Sequence, residues 1–447
     1  MRFIPHTEAD IATMLAAIGV SRVDELIAHV PAGLRESAEI ALAPGLPEAE
    51  VASVLSTLAA RNHAATGLIS FLGGGAYRHY IPAAVRAITG RAEFSTSYTP
   101  YQPEASQGTT QAIFEFQTLI TQLTGLEVAN ASMYDGASAA AEAVLMARRI
   151  LPRRTVVAIA RTLWPDYRAT IRTYLSALEG IEVIEVPFDP TLGSLDIAKL
   201  NALANDRILC TVTGYPNAFG IIEPLRRITE ITHRAGGLTI AATAEPLALG
   251  LLKPPGELGI DIAVGEGQSF GIPIQFGGPG VGFMAARMTH LRQMPGRLVG
   301  QTRDSNGRRA FCLTLATREQ HIRRERATSN ICTNNSLCAL AATAYLTLMG
   351  RRGLRELAAR NVELAHEALA ALELVGIPRR FTGKFFNEFV IAVPNPSKTL
   401  AEAERAGVLA GLSLARDYPE AADGILVTVT EMNTRAEIER LRASFGE

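Results

Sequence analysis

The sequence predicts an α/β protein: a large domain with a mostly parallel sheet, a helical arm ahead of it and a smaller α+β domain behind. Three observations predict this. From about residue 62 to 327, short apolar runs alternate with helical patterns. The runs are apolar throughout, as in strands covered on both faces, rather than alternating apolar with polar. At residue 328 the rhythm changes to long helices and a few late strands, so boundaries fall at 1–61, 62–327 and 328–447.

The arm is expected to be helical. Thr7 can cap a helix ending near Gly19, and Ser21 can cap a second that ends before Pro31. Pro47 suits a first turn, and Val51, Val54, Leu55 and Leu58 then form an apolar stripe. In the middle segment Ile113, Phe116, Leu119, Ile120 and Leu123 share one side of a helix over 106–124. An Ala-rich helix over 136–151 stops before Pro152. Strands are expected at 155–160, 181–187, 208–213, 238–243, 261–265 and 281–287, with helices at 165–179, 194–204 and 223–235. The last segment should hold helices near 333–349, 353–373 and 434–444, and strands near 386–393 and 425–430.

Composition excludes several function classes. The chain of 447 residues carries 43 Lys and Arg against 44 Asp and Glu, so no nucleic-acid partner is implied. No run of eighteen apolar residues exists, so no membrane span is expected. Met1 to Thr7 lacks an apolar signal core, which implies a cytoplasmic address. The eight histidines form no pair at metal-ligand spacing. Cys210, Cys312, Cys332 and Cys338 include no Cys-x-x-Cys, and the close pair Cys332 and Cys338 reads as buried structural thiols.

Several segments carry possible chemistry. Asp135, Gly136, Ala137 and Ser138 open the Ala-rich helix, where free backbone N–H groups and the helix dipole favour an anion; a plain cap is the simpler reading. Glu245 ends a strand with a carboxylate. Trp164 follows a strand and opens a helix with Pro165, where it could stack on a planar ring or anchor the core. In the stretch from Tyr98 to Gly108, Pro100 and Pro103 stiffen a loop bearing Tyr98, Tyr101 and Gln102, with Ser106 capping the next helix. Such a loop suits a pocket wall or a subunit contact. The charged run from Thr317 to Arg326 reads mainly as a solvated helix face. The Gly280-Val281-Gly282 stretch matches a dinucleotide fingerprint only nominally, because it leads into a strand.

The stretch from Gly265 to Gly280 looks like the segment on which many pyridoxal-phosphate (PLP) enzymes carry their Schiff-base lysine. Gln268 stands in that slot, followed by Ser269, and an amide nitrogen forms no imine. Only four lysines occur, Lys199, Lys253, Lys384 and Lys398, and none sits at a strand end beside a phosphate loop.

Together these segments resemble the P-protein family of the glycine cleavage system, closest to the α subunit (subunit 1) of its two-subunit form. The residues that carry the resemblance include Arg2 to Thr7, Phe71 to Gly75, His79 to Pro82, Tyr98 to Gly108 and Asn130 to Gly136. Gly265 to Gly280, Pro295 to Gly300, Thr317 to Arg324 and Ala327 to Asn330 continue it. The resemblance implies a type I PLP-dependent transferase-like fold. It also implies an α2β2 assembly in which a lysine-bearing β subunit holds PLP and this chain binds none covalently. That assembly would take CO2 from glycine and pass the aminomethyl group to the lipoyl arm of H-protein. Where Glu245 and Trp164 stand, the resemblance leads one to expect Asp and His. The cleft residues Asp135, Gly136, Ala137, Ser138, Trp164, Glu245, Gln268 and Ser269 are then vestigial, and Tyr98, Tyr101 and Gln102 shape the partner's pocket. Two rival readings stay open: a non-catalytic scaffold, and a self-sufficient PLP enzyme working through Lys253 or another lysine.

Overall fold

The computed structural model describes residues 6–38, 42–62, 67–332 and 334–446. Arg2 to Pro5, which carry part of the resemblance, lie outside the described residues. Backbone contacts divide the chain into two compact units, Met1–Ala64 and Ala65–Glu447.

The first unit is helical. The helix Glu8–Ile18 opens on a capping box in which Thr7 and Asp10 exchange backbone and side-chain bonds, and it stops at Gly19 with φ +89°. The second helix is only Val23–Leu26, shorter than the spacing suggests. Pro31 starts a new helix, Ala32–Ser37, instead of merely ending the old one, because its fixed φ of −53° suits the entry to a first turn. Glu48–Ala59 follows, with Val51, Val54, Leu55 and Leu58 exposed within this unit.

The second unit begins with β1 (Ile69–Ser70). Its main sheet is built from β2 (Val128–Ala129), β3 (Val156–Ala160), β4 (Glu182–Val186), β5 (Ile208–Gly214), β6 (Leu238–Thr243), β7 (Ile262–Glu266) and β8 (Gly282–Ala286). The seven strands lie in the order β2-β8-β7-β6-β5-β3-β4. All neighbours are parallel except at β8, which runs antiparallel to both β2 and β7. Every residue of β3, β5, β7 and β8 is buried, so an apolar run rather than an alternation marks these strands. The helix Gly136–Ile150 packs close to this sheet because Ala139, Ala140, Ala141 and Ala143 present almost no side-chain bulk.

A hairpin, β9 (Leu298–Arg303) with β10 (Arg309–Thr314), was not legible in the sequence. Its outer half carries Gln301, Arg303 and Arg309, which read as loop, and only Leu298, Val299 and Phe311 are buried. The last part holds β11 (Glu388–Ala392), β12 (Val408–Leu409), β13 (Leu412–Ser413) and β14 (Gly424–Thr428). Three of these form a separate antiparallel sheet, β11-β14-β13, while β12 pairs with β1. The two helices expected near 333–349 and 353–373 join as Ser336–Leu374, broken where Gly350 takes φ +60°. Cys332 lies ahead of that helix, so it shares no helical face with Cys338. Both are free and only half-buried rather than buried, and this corrects the sequence expectation.

The link between the two sheets is tight at Gly220, whose φ is +77°. A Cβ there would collide with the backbone carbonyl of Glu388. Gly220→Ala should therefore destabilise the chain by about 2 kcal/mol or more, read as a lowered denaturant midpoint with little change in slope. An unchanged midpoint would contradict this packing.

Candidate functional site

Parallel strands end on one side of their sheet, and α/β folds take ligands there. Trp164 follows β3, Glu245 follows β6, and Glu266, Gln268 and Ser269 end or follow β7. The helix Gly136–Ile150 starts at the same place, since Gly136 N–H donates to the Glu266 carboxylate at 3.1 Å. A shallow depression is lined by Gly75, Asp135, Glu266 and Gln268. A second, beside it in sequence terms, is lined by Gly74, Trp164 and Asp166. The predicted cleft residues thus gather at these strand ends and this helix start.

Gln268 is fully engaged. Its Oε1 accepts from Tyr77 N–H at 2.8 Å, and its Nε2 donates to Tyr77 C=O at 3.1 Å and to Ile272 C=O at 2.7 Å. The amide pairs with the Tyr77 backbone much as a neighbouring strand would. A lysine ammonium has no acceptor and could not reproduce this pairing.

Tyr77 extends the network. Its hydroxyl donates to Glu388 at 2.9 Å, and Gly74 N–H and Thr428 Oγ1 donate to the other oxygen of that carboxylate. Burial raises the Glu388 carboxyl to about 7, against the pull of these donors. Two residues on, His79 is sandwiched: Nε2 lies 2.8 Å from Glu245 and Nδ1 lies 2.8 Å from Glu431. A neutral imidazole has one N–H, so two carboxylate contacts call for the protonated ring. Burial by itself would lower the His79 pKa, but the Glu245 charge and the bonds to both carboxylates outweigh it and push it up to about 10.

The helix start is also satisfied from within. Asp135 Oδ1 accepts from Ser138 N–H at 2.8 Å in a capping box. Glu266 accepts from Gly136 N–H with one oxygen and from Val281 N–H, at 2.8 Å, with the other. Burial raises the Glu266 carboxyl, while the two backbone donors pull it down. Ala137 is half-buried in the first turn. Trp164 is buried and packs on Tyr167 at a ring distance of 5.4 Å. Trp164 Nε1, Tyr167 Oη and Ser269 Oγ are buried without a hydrogen-bond partner.

The residues present therefore do not fit PLP. Gln268 offers an engaged amide and no amine, the first helix N–H is taken by Glu266, and Glu245 is taken by His79. All four lysines are exposed, Lys253 among them, so none reaches into the cleft.

Tyr98, Tyr101 and Gln102 line neither depression. They stand exposed on their loop, with Pro100 buried beneath. Buried Arg297 holds the loop: it bonds the Thr99 hydroxyl, lies 5.8 Å from the Tyr101 ring centroid and reaches Glu319 at 3.4 Å. Ser106 makes no side-chain cap, contrary to expectation; Gln107 instead donates to Pro103 and Phe311 carbonyls. Arg318 is spent on the carbonyls of Met294, Gly296 and Leu315. Sequence reasoning assigned no role to Tyr77, His79, Glu266, Glu388 or Glu431. Glu266 had left a signal: a carboxylate closing an apolar strand must find donors. Phe276, wholly exposed at the tip of the loop over 273–279, was also missed. Among the described residues no group of His, Cys, Asp and Glu is set to hold a metal, and no helix is long and apolar enough to cross a membrane.

The family model described as "Glycine cleavage system P-protein" matches residues 1–445. A protein of Geobacillus kaustophilus named "Probable glycine dehydrogenase (decarboxylating) subunit 1" is 47% identical over 447 residues, covering 100% of this chain and 99% of that one. A protein of the same name from Moorella thermoacetica is 49% identical, covering 99% of each. A solved glycine decarboxylase (P-protein) of the glycine cleavage system, in inhibitor-bound form, superposes with a TM-score of 0.91 at 43% identity, covering 100% of this chain and 99% of that one. A sphingosine-1-phosphate lyase of Burkholderia pseudomallei, 15% identical and covering 91% of each chain, shares the fold at a TM-score of 0.66. The fold is thus of the type I PLP-dependent transferase class, as the sequence implied.

The raised His79 pKa has a calculable consequence. The folded value, about 10, lies above the ordinary 6.5. The stabilisation is thus complete below about 6.5 and is lost as pH rises through about 10. His79→Gln should lose on the order of 2–4 kcal/mol at neutral pH, because Glu245 and Glu431 keep no cation between them. Urea titrations of both proteins from pH 7 to 10.5 check this: their stabilities should converge at the alkaline end. Gln268→Ala should cost about 2–3 kcal/mol at all these pH values, since it orphans the Tyr77 N–H and C=O.

Proposed function

The chain belongs to the glycine cleavage system P-protein family, and from that premise we propose that it is the lysine-free α subunit of glycine decarboxylase. On this reading it works in an α2β2 assembly with a lysine-bearing β subunit. The β subunit carries PLP, which supplies the electron sink when glycine loses CO2. The aminomethyl group then passes to the lipoyl arm of H-protein. Residues 1–61, 62–327 and 328–447 act as arm, large domain and small domain, and the assembly works in the cytoplasm.

The observation that supports it best is a cleft without an amine in a chain that matches its relatives end to end. The chain's own residues supply shape. Arg297 fixes the loop from Tyr98 to Gln102 by its bond to Thr99 and its position at the Tyr101 ring. Two exposed aromatic rings on a rigid loop lose little entropy when a partner covers them. In this proposal Tyr98, Tyr101 and Gln102 line the β subunit's pocket or the lipoyl channel.

Reconstitution tests the proposal. Neither subunit alone should exchange labelled bicarbonate into glycine in the presence of lipoylated H-protein, and the mixture should. Tyr98→Ala with Tyr101→Ala should lower turnover of the mixture at least about tenfold while size-exclusion chromatography still shows the assembly. Full turnover by the double variant would remove the loop from the site. Loss of assembly with normal turnover of what remains would make the chain a scaffold.

A further inference from the structure

A phosphate monoester seeks a helix N-terminus because several N–H groups and the helix dipole converge there. In this chain that place already holds an anion. The Glu266 carboxylate spans two donors, Gly136 N–H at 3.1 Å and Val281 N–H at 2.8 Å, one per oxygen. The fold makes room for it: a Cβ on Gly280 would meet the two carboxylate oxygens at 2.9 and 3.0 Å. A second observation points to an anion at this spot. The Tyr167 hydroxyl is buried, has no hydrogen-bond partner, and projects to where a Cβ on Gly136 would lie. A buried hydroxyl facing a helix start is a donor set for an oxyanion.

We propose that Glu266 is a built-in plug, a side-chain carboxylate that occupies an otherwise competent phosphate site at the start of the helix Gly136–Ile150. Apart from this plug, the His79 ring lies between the Glu245 and Glu431 carboxylates. The helix start is closed from within by a carboxylate of the chain's own. A ligand carrying a phosphate must displace a tethered carboxylate, whose effective concentration at the site far exceeds that of free phosphate. The plug concerns this chain's own cleft and holds whether or not the assembly decarboxylates glycine.

The test uses the full chain and inorganic phosphate. Glu266→Ala removes the carboxylate and leaves both N–H donors and the Tyr167 hydroxyl in place. It should bind inorganic phosphate at least roughly tenfold more tightly than the parent chain, read by calorimetry and by a saturable rise in melting midpoint at matched ionic strength. Adding Tyr167→Phe should weaken that gain. Glu266→Gln preserves side-chain shape and can accept from only one of the two donors, so it should show a smaller gain of the same sign. It decides the matter where the Ala variant does not fold. Phosphate binding by the parent chain equal to that of the folded variants would overturn the plug, and so would no binding by any of them.

Discussion

The cleft depends on the geometry of one primary amide. Gln268 carries an acceptor and a donor on one rigid plane, and the Tyr77 backbone presents the matching donor and acceptor. That pairing draws the segment around residue 77 onto the end of β7. From there Tyr77 reaches Glu388, and His79 reaches Glu245 and Glu431. Side chains following β6 and β7, in β11 and just past β14 thus meet on one short stretch of backbone. The amide that follows β7 serves here as a structural joint.

Such a joint imposes electrostatic constraints. Glu245, Glu388 and Glu266 are all buried, and an unpaired buried carboxylate would be costly. Each has a specific answer: the imidazolium of His79, a shell of neutral donors around Glu388, and backbone N–H groups around Glu266. The answers differ in pH behaviour. Glu388 is raised to about 7, so its burial disfavours the folded state as pH climbs from the ordinary carboxylate range toward that value. His79 works over a higher window. Both groups therefore lose stabilisation as pH rises, Glu388 between the ordinary carboxylate range and about 7 and His79 between about 6.5 and about 10.

Much of the α/β segment was legible because buried strands and amphipathic helices leave periodic signatures. Strands β3 through β8 appear within a residue or two of where apolar runs stand. The hairpin of β9 and β10 was not legible, because pairing between two polar, half-exposed strands comes from backbone bonds that no side-chain period records. Four-residue helices and the restart at Pro31 were likewise too short to leave a period. At the cleft, the residue type at position 268 was legible and its bonds were not. The exposed loop of Tyr98 and Tyr101 was read as stiff from its prolines, yet the buried guanidinium of Arg297 that holds it lies far along the chain.

What the sequence by itself determined was chemical possibility. The residue types alone exclude an imine at position 268, because a side chain's functional group is a local property. The order of apolar runs also implied a parallel sheet with helices on both faces, since burial writes itself into composition. Only the tertiary structure decided how each buried charge is matched. His79 meets Glu245 and Glu431 across separations of 166 and 352 residues, and Tyr77 meets Gln268 across 191. No periodicity spans such distances, and partner choice there follows from where the sheet delivers its strand ends.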